Sequence, residues 1–563
     1  MNPARVREGN PLQDPARETA GGESPLRPIV APREPHSFRR TEPAPVRWPY
    51  ALWTLGILAL FCLHFPHLLA DFPNNSPWMD YSKYTDEGWY GNAAIRYYLT
   101  GHWYLHGEFN PAVALPVWPV LLALLFHFTG VSLIADRVLG LAVFGLNLLL
   151  AYTVVRTQAE KWVAFLAVTL LVSSPFLYAF SRLATLEPPL ICFLLLSWLL
   201  ALRLPRAAPR AQTLMLAAIG LLLCLMILTK TTAIFIIPST LFLIARAFHF
   251  QLASCRALAI AATAAAAPWC AWYFLLVRPH YRVDYRYLFE ANHWPQPTTI
   301  GGWIAAFWYA LHGALWISPT LCVSAVAVLL LALIPHGSAA ASEPRQPGLW
   351  DNPLTIASLF AAAGYIFFAG WHNSPQPRYY ETVIYPLCFV LTLGVADLIR
   401  RPRPVLVRIC GAAAVAVMAV VSITGVFRIA GYIRHPEYTL INAAIGVTRY
   451  IDAHPGPHRL LLSISGGDIQ LITHLPAICD DYGTWDLPYR IHVYQPGWYA
   501  TWNELDPGTL EDLVTQYSLE RVADFPAFDD PDRNLLILYR MNPLPPAQQK
   551  YSASEEEAGN AGK

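Results

Sequence analysis

Apolar stretches of about 20 residues recur along most of this chain, and nothing else in it constrains the fold as strongly. A hydrocarbon core about 30 Å thick takes about 20 apolar residues per crossing helix. Runs of that kind lie near 50–70, 133–155, 162–180, 189–203, 212–228, 232–248, 257–277, 315–335, 353–371, 382–399 and 405–427, eleven in all. Charged residues are 14% of the chain and hydrophobic ones 55%, where a soluble domain carries about 25% charge. A soluble enzyme and a disordered protein are thereby excluded. So is a nucleic-acid binder, because 39 Lys and Arg against 38 Asp and Glu leave no basic face for a phosphate polymer. Of nine cysteines, all but Cys479 lie in or beside apolar runs, and no Cys-x-x-Cys or Cys/His cluster accompanies them. A disulfide framework and a structural zinc site are therefore not indicated.

A twelfth apolar run, 112–129, is read differently. It is short, it is interrupted by Pro116 and Pro119 just after Pro111, and it follows a loop dense in Trp and Tyr. Its place in the topology follows from charge. Lys and Arg in short loops stay on the cytoplasmic side. The basic clusters are the N-terminal arginines (Arg5 to Arg47), Arg156/Lys161, Arg203/Arg206/Arg210, Arg246/Arg256 and Arg400/Arg401/Arg403/Arg408. All five share one side only if 71–155 holds a single crossing. The run at 112–129 is accordingly expected to lie in the outer interface. The N-terminus is then cytoplasmic and the C-terminus outside. The outer segments are 71–132, 181–188, 229–231, 278–314, 372–381 and everything after 428.

Residues 1–49, rich in Pro, Arg and Glu, read as a disordered cytoplasmic tail rather than a signal peptide, since no apolar core precedes residue 50. Beyond 428 the pattern changes. Strands are expected at 459–465, 476–482 and 534–540, and helices at 438–453 and 509–520. The predicted architecture is an all-α polytopic membrane domain over 50–428, with about eleven spans plus interfacial helices. A small extracytoplasmic α/β domain follows over 429–545, and a solvated tail over 546–563. The expected location is the plasma (inner) membrane.

Ionisable groups near a bilayer are costly and mark function. The first outer loop reads MDYSKYTDEGWYGNAAIRYY, with Asp86 and Glu87 opening a helix. Helix capping accounts for one acid; a pair set among Tyr84, Trp89, Tyr90, Tyr97 and Tyr98 leaves catalysis equally open. The second loop, SRLATLEPPL, places Arg182 and Glu187 at a break forced by Pro188 and Pro189. Snorkelling and helix initiation are the structural alternatives for these two. The third puts Lys230 at the outer end of a span, against the positive-inside rule, and the fourth puts Arg378 and Tyr379 just before one. All four sites fall on one face of the membrane. A carboxylate there can take a proton from an attacking hydroxyl, while Arg and Lys hold an anionic leaving group. The set fits group transfer from a lipid phosphate to an acceptor in the outer compartment.

The order of these segments, including Arg137 in IADRVLGLAVFG, LCLMILTKTTAIFIIP and PRYYETVIYP, resembles the C-type glycosyltransferase (GT-C) fold. The nearest likeness is to bacterial relatives of protein O-mannosyltransferases and of the lipid A aminoarabinose transferase, over roughly residues 50–400. The resemblance implies an integral-membrane enzyme that takes sugar from a polyprenyl-phosphate donor to an extracytoplasmic acceptor hydroxyl by direct displacement. It implies Asp86 as base with Glu87 beside it, and Arg182, Glu187, Lys230, Arg378 and Tyr379 as the donor-phosphate and substrate set. A divalent metal serves some relatives and not others, and the residues leave both open. One departure stands out: HGEFNPAVALP has no cation beside the proline where relatives carry Lys or His, and His106 is out of register. A transporter or lipid flippase is the alternative. It would place charges near the midplane in repeated halves, and no internal repeat is present. In a third reading the outer domain binds or scaffolds, using Asp468, Asp480, Asp481 and Asp486. Turn and cap chemistry accounts for those acids, and the domain is expected instead to cover the site or guide an acceptor.

Overall fold

The computed structural model describes residues 48–73, 78, 80–83, 86–105, 110–290, 295–334, 348–400, 404–456, 458–479, 487–503, 517–528 and 533–542. Among them, seven helices are long and apolar enough to cross a membrane: Leu133–Gln158, Glu187–Arg206, Pro209–Thr229, Leu252–His280, Pro353–His372, Pro377–Arg400 and Val405–Ala453. The apolar part of the last is the 30-residue helix Val405–Arg434. Each coincides with one of the expected runs.

Of the other four expected runs, 50–70 is helical only up to Cys62, and the remaining three are broken, each with a local cause. The 162–180 run divides at Ser173-Ser174-Pro175. The helix Lys161–Val172 stops there, and Ser174 caps the next helix by accepting from the Leu177 amide. The 232–248 run begins as a 3-10 turn over Thr231–Phe235 before the helix Ile237–Ala247. The 315–335 run is one arm of a bent pair, Ile300–Trp316 and Pro319–Leu331, which meet at 106°. Ser318 caps the second arm and Pro319 opens it, so the first helix has no amide with which to continue. The 112–129 run gives a 13-residue helix, Val117–Thr129, about 20 Å long at 1.5 Å per residue and too short to cross. Its Trp118, Leu122 and Phe126 are buried while Val120, Leu124 and Phe128 are exposed, the two-faced pattern of a helix lying at an apolar boundary.

Burial separates central from peripheral spans. Pro377–Arg400 and Glu187–Arg206 have 83% and 72% of their apolar windows buried, against 17% for Val405–Ala453. The first two form the middle of the bundle, where Trp198 donates to Ser239 Oγ at 3.1 Å and packs near Phe389. The last presents Ile409, Val420, Ile423 and Phe427 outward, as a lipid-facing helix does.

The C-terminal part carries a five-stranded mixed sheet in the order β2-β1-β3-β5-β4. The strands are β1 (Leu461–Ser463), β2 (Ala477–Ile478), β3 (Trp498–Trp502), β4 (Leu519–Pro526) and β5 (Leu535–Met541). β1 lies parallel to β2 and β3, and β5 runs antiparallel to both β3 and β4. Alternate residues divide between two cores. Leu461, Trp498, Ala500, Trp502, Leu536 and Leu538 pack with Leu440, Ala444 and Val447 of the helix Thr439–Ala453. Leu462, Tyr499, Ile537 and Tyr539 pack on the other face with Ile491. The expected helix at 438–453 and the strands near 459–465 and 534–540 are present. In the described part of the 476–482 segment, Ala477–Ile478 is a strand. Most of the helix expected at 509–520, the acids Asp480, Asp481 and Asp486, all but the last two residues of the expected tail 1–49, and the expected tail 546–563 lie outside the described residues, as do Tyr84, Thr85 and His106; Trp48 and Pro49 belong instead to the first helix.

This C-terminal part rests directly on the first loop. The Asp71 carboxylate caps the helix Thr439–Ala453 from 368 residues away. Its Oδ2 accepts from the Thr439 amide, from Thr439 Oγ1 at 2.8 Å and from the Leu440 amide at 3.2 Å. The Asp71 amide in turn donates to the Glu437 carbonyl at 2.8 Å. Burial outweighs these donors and raises the Asp71 pKa to about 6. Asp71→Ala is expected to cost about 1–2 kcal/mol, the worth of a lost N-cap, and Asp71→Asn much less. Thermal unfolding of the purified protein reads both, and an unshifted midpoint for the alanine variant would show that the cap is dispensable.

Candidate active site

Four chain segments that end or begin at one end of the bundle bring their polar residues together. Asp86 and Glu87 occupy the first turn of the helix Asp86–Thr100. Glu187 opens the helix Glu187–Arg203 ahead of Pro188 and Pro189. Lys230 is the C-terminal cap of Pro209–Thr229, in an extended conformation that turns the chain into the 3-10 segment after it. Arg378 and Tyr379 sit in the 3-10 turn Pro377–Tyr380 that leads into Glu381–Arg400. Each position is a helix terminus, where main-chain groups without intrahelical partners coexist with charged side chains.

Arg378 is the hub. Its Nη2 lies 3.2 Å from Asp86 Oδ2 and its Nε lies 4.0 Å from Glu187 Oε1. Its backbone amide donates to Asp80 Oδ2 at 2.9 Å, and its Nη1 also contacts Asp80. Glu187 Oε1 in turn accepts from Lys230 Nζ. The Tyr379 ring lies under both cations, 4.8 Å from Lys230 Nζ and 5.2 Å from the Arg378 guanidinium carbon. Asp80, Asp86, Glu187, Lys230, Arg378 and Tyr379 are all less than one-tenth exposed. Glu381 and Tyr380, next along the chain, are buried as well.

Glu87 points the other way. Its carboxylate makes a two-pronged pair with Arg137, Nε to Oε1 at 2.8 Å and Nη2 to Oε2 at 2.5 Å, and it accepts from the Ala184 amide at 2.9 Å. Arg137 Nη1 donates further to the Leu68 and Ala70 carbonyls at 2.6 and 2.7 Å. Glu87 thus ties its helix to two other segments, and Asp86 alone of the adjacent acids faces the Arg378 cluster. The structure also separates Arg182 from that cluster. Its guanidinium donates to the Pro66 and His67 carbonyls, to the latter at 2.5 Å, and to the Tyr178 hydroxyl at 2.8 Å. That side chain staples the loop after the first helix.

Removal from water dominates the electrostatics. Burial raises the Asp86 pKa above its ordinary value; Arg378 opposes this and the charges of Asp80 and Glu187 add to it. Asp468, from the C-terminal part, is raised well above the carboxyl range by burial and by the charge of Glu87. Among the described residues no three His, Cys, Asp or Glu side chains converge as a metal-binding set. Asp80, Asp86 and Glu187 instead face Arg378 and Lys230.

One participant was not singled out from sequence, and another was set aside there as turn and cap chemistry. Asp80 holds Arg378 twice, yet loop residues carry no periodicity to flag it; its only signal is a third acid six residues before Asp86. Asp468 reads as an ordinary helix-start acid, and the structure sets it against Gly88, 380 residues away.

A family model described as dolichyl-phosphate-mannose-protein mannosyltransferase matches residues 111–272. No curated protein matches the sequence. Among solved structures, ArnT from Cupriavidus metallidurans bound to undecaprenyl phosphate is similar with a TM-score of 0.60 and 14% identity, over 88% of this chain and 98% of that one. Its apo state gives 0.57 and 13% over the same shares. The chain therefore shares the polytopic fold of ArnT over most of its length.

Proposed function

We propose that this protein is a membrane glycosyltransferase that moves a sugar from a polyprenyl-phosphate donor to an acceptor hydroxyl on the extracytoplasmic side of the plasma membrane. The observation that carries the proposal is the single buried cluster joining Asp86, Glu187, Lys230 and Arg378 at one end of the bundle. The fold it shares with a protein that binds undecaprenyl phosphate adds support. A transporter would need such charges along a path through the bundle, whereas these gather at helix ends.

In the proposed reaction Asp86 accepts the proton of the acceptor hydroxyl as its oxygen attacks the anomeric carbon. The bond from that carbon to the phosphate oxygen breaks, its electron pair stays on the phosphate, and polyprenyl phosphate leaves with the configuration at the sugar inverted. Phosphate is a competent leaving group, so no strong general acid is required. Arg378 and Lys230 take up the developing charge, with Tyr379 holding both cations in place. Donor phosphate on Arg378 replaces part of its pairing with Asp86. A carboxylate released from a guanidinium binds a proton more tightly, so donor binding strengthens the base. Glu87 and Arg137 hold the helix that carries it.

The pH dependence follows. A base must be unprotonated, so transfer is lost as pH falls through the Asp86 pKa. That value lies above the ordinary 3.8, so the acidic limb of turnover against pH is expected at higher pH than for a solvated aspartate. A limb at or below pH 4 would argue against a buried Asp86 as the base. Orientation is tested by labelling single cysteines placed at Leu105 and His454 in a cysteine-free background. A membrane-impermeant maleimide is expected to reach both from outside the cell, and labelling only after permeabilisation would overturn the assignment.

A further inference from the structure

The helix that carries Asp86 begins against another helix N-terminus. A Cβ on Gly88 would stand 2.0 Å from the Gly467 carbonyl carbon, and one on Gly467 would stand 2.7 Å from the Gly88 carbonyl carbon. Gly88 is in the first turn of Asp86–Thr100, and Gly467 is in the first turn of Gly466–Thr473. Only glycine at both positions lets the backbones meet so closely. Two positive helix ends therefore face one another, with Asp86, Glu87 and Asp468 gathered around the junction.

One of these acids bridges it. Asp468 Oδ1 accepts from the Gly88 amide at 3.0 Å, and the contact is buried. The first four amides of a helix have no partner within it, and Asp468 supplies one from the far end of the chain. Asp468 is 4% exposed, too buried for a polar group that only decorates a turn. The reverse arrangement occurs alongside, where Asp71 of the first loop caps Thr439–Ala453. Lys83 of the same loop lies 5.2 Å over the Phe528 ring, and His474 Nε2 stands 3.1 Å from the Val131 carbonyl. Loop and C-terminal part thus hold each other's helix starts.

We propose that the C-terminal part completes the catalytic site, with Asp468 as a positioning residue that fixes the first turn bearing Asp86 and Glu87. The proposal rests on Asp86 acting as the base. It states what the C-terminal part does: through the Gly88 amide it holds the base in register with Arg378. An acceptor displaced by about 1 Å from the base loses orders of magnitude in rate. A freed first turn therefore slows transfer while Asp80 and Glu187 still hold Arg378 and Lys230 in place.

The test uses the full chain in detergent or liposomes with a polyprenyl-phosphate sugar. Asp468→Ala is expected to lower turnover at least about tenfold, to leave half-saturation by donor within about twofold, and to speed hydrogen exchange in a peptide spanning 86–95. Asp468→Asn keeps an oxygen that accepts from Gly88, and it is expected to restore turnover to within about threefold of the native protein together with native exchange. Should the alanine variant not fold, Asp468→Thr, whose hydroxyl is too short to reach, takes its place. Native turnover in the alanine or threonine variant alongside faster exchange would overturn the positioning role. Equal impairment by asparagine and alanine would overturn the hydrogen bond as its basis. If the native protein transfers no sugar at all, the proposed reaction fails by itself. The exchange measurement still judges the clasp, and unchanged protection without Asp468 would dispose of it.

Discussion

Asp86→Asn is expected to abolish sugar transfer while leaving the protein inserted and folded. Asparagine keeps the volume of the side chain and can still contact Arg378, but it cannot take the acceptor's proton. Loss of a general base costs roughly 10²- to 10⁴-fold in turnover. The same change removes a buried carboxyl that burial disfavours as an anion, so the thermal midpoint is expected to hold or rise. Turnover of purified protein with polyprenyl-phosphate sugars reads the first effect and the unfolding midpoint the second. Undiminished turnover would eliminate Asp86 as the base. Asp86→Glu separates chemistry from position: it retains the carboxylate but displaces it by one methylene, and intermediate turnover is expected.

The largest effect on stability is expected from Arg378→Ala. The guanidinium stands among Asp80, Asp86 and Glu187, all nearly sealed from water. Its removal leaves the Asp80 carboxylate buried with the amides of Ser82 and residue 378 but without its guanidinium. Breaking a buried pair from one side costs about 3–5 kcal/mol, so the variant's yield and thermal midpoint should fall sharply. Arg378→Ala combined with Asp80→Asn is expected to recover much of that loss, because the stranded charge is gone. The pair of variants then exposes the functional role. In the double variant donor half-saturation should remain raised, since the phosphate has lost its forked partner. Half-saturation equal to the native value in that background would take Arg378 out of the phosphate site.

The sequence disclosed the members of the cluster that break a membrane rule. Lys230 and Arg378 stand out because cations are out of place at that end of a span, and Asp86 and Glu187 because apolar neighbours make acids conspicuous. What it could not disclose is partnership. Arg182 looks as suitable as Arg378 in one dimension, yet it is consumed by the Pro66 and His67 carbonyls, which nothing in SRLATLEPPL foretells. Glu87 and Asp86 are adjacent, but the step of about 100° between successive helical residues sends them to different arginines. Helix ends were harder to read than helix existence, because hydropathy does not register Ser173-Ser174-Pro175 or Ser318-Pro319 as interruptions. β3, WYATW, was not legible as a strand. Every residue in it is buried, but it is short and mixes aromatic with small residues, so it lacks the continuous aliphatic run that marked β5. The contact of Asp468 with Gly88 spans 380 residues and leaves no local trace beyond two glycines.

The carboxylates that occupy Arg378 and Lys230 bear on how a turnover ends. Polyprenyl phosphate departs from the proposed reaction with one more negative charge than the donor brought, and bare cations would grip that spent carrier more tightly than fresh donor. Asp80 and Glu187 are tethered rivals for the same guanidinium and ammonium groups, present at a fixed local concentration. They reclaim their partners as the lipid slides back into the bilayer, so the vacated pocket returns to its starting charge without waiting for ions from solution.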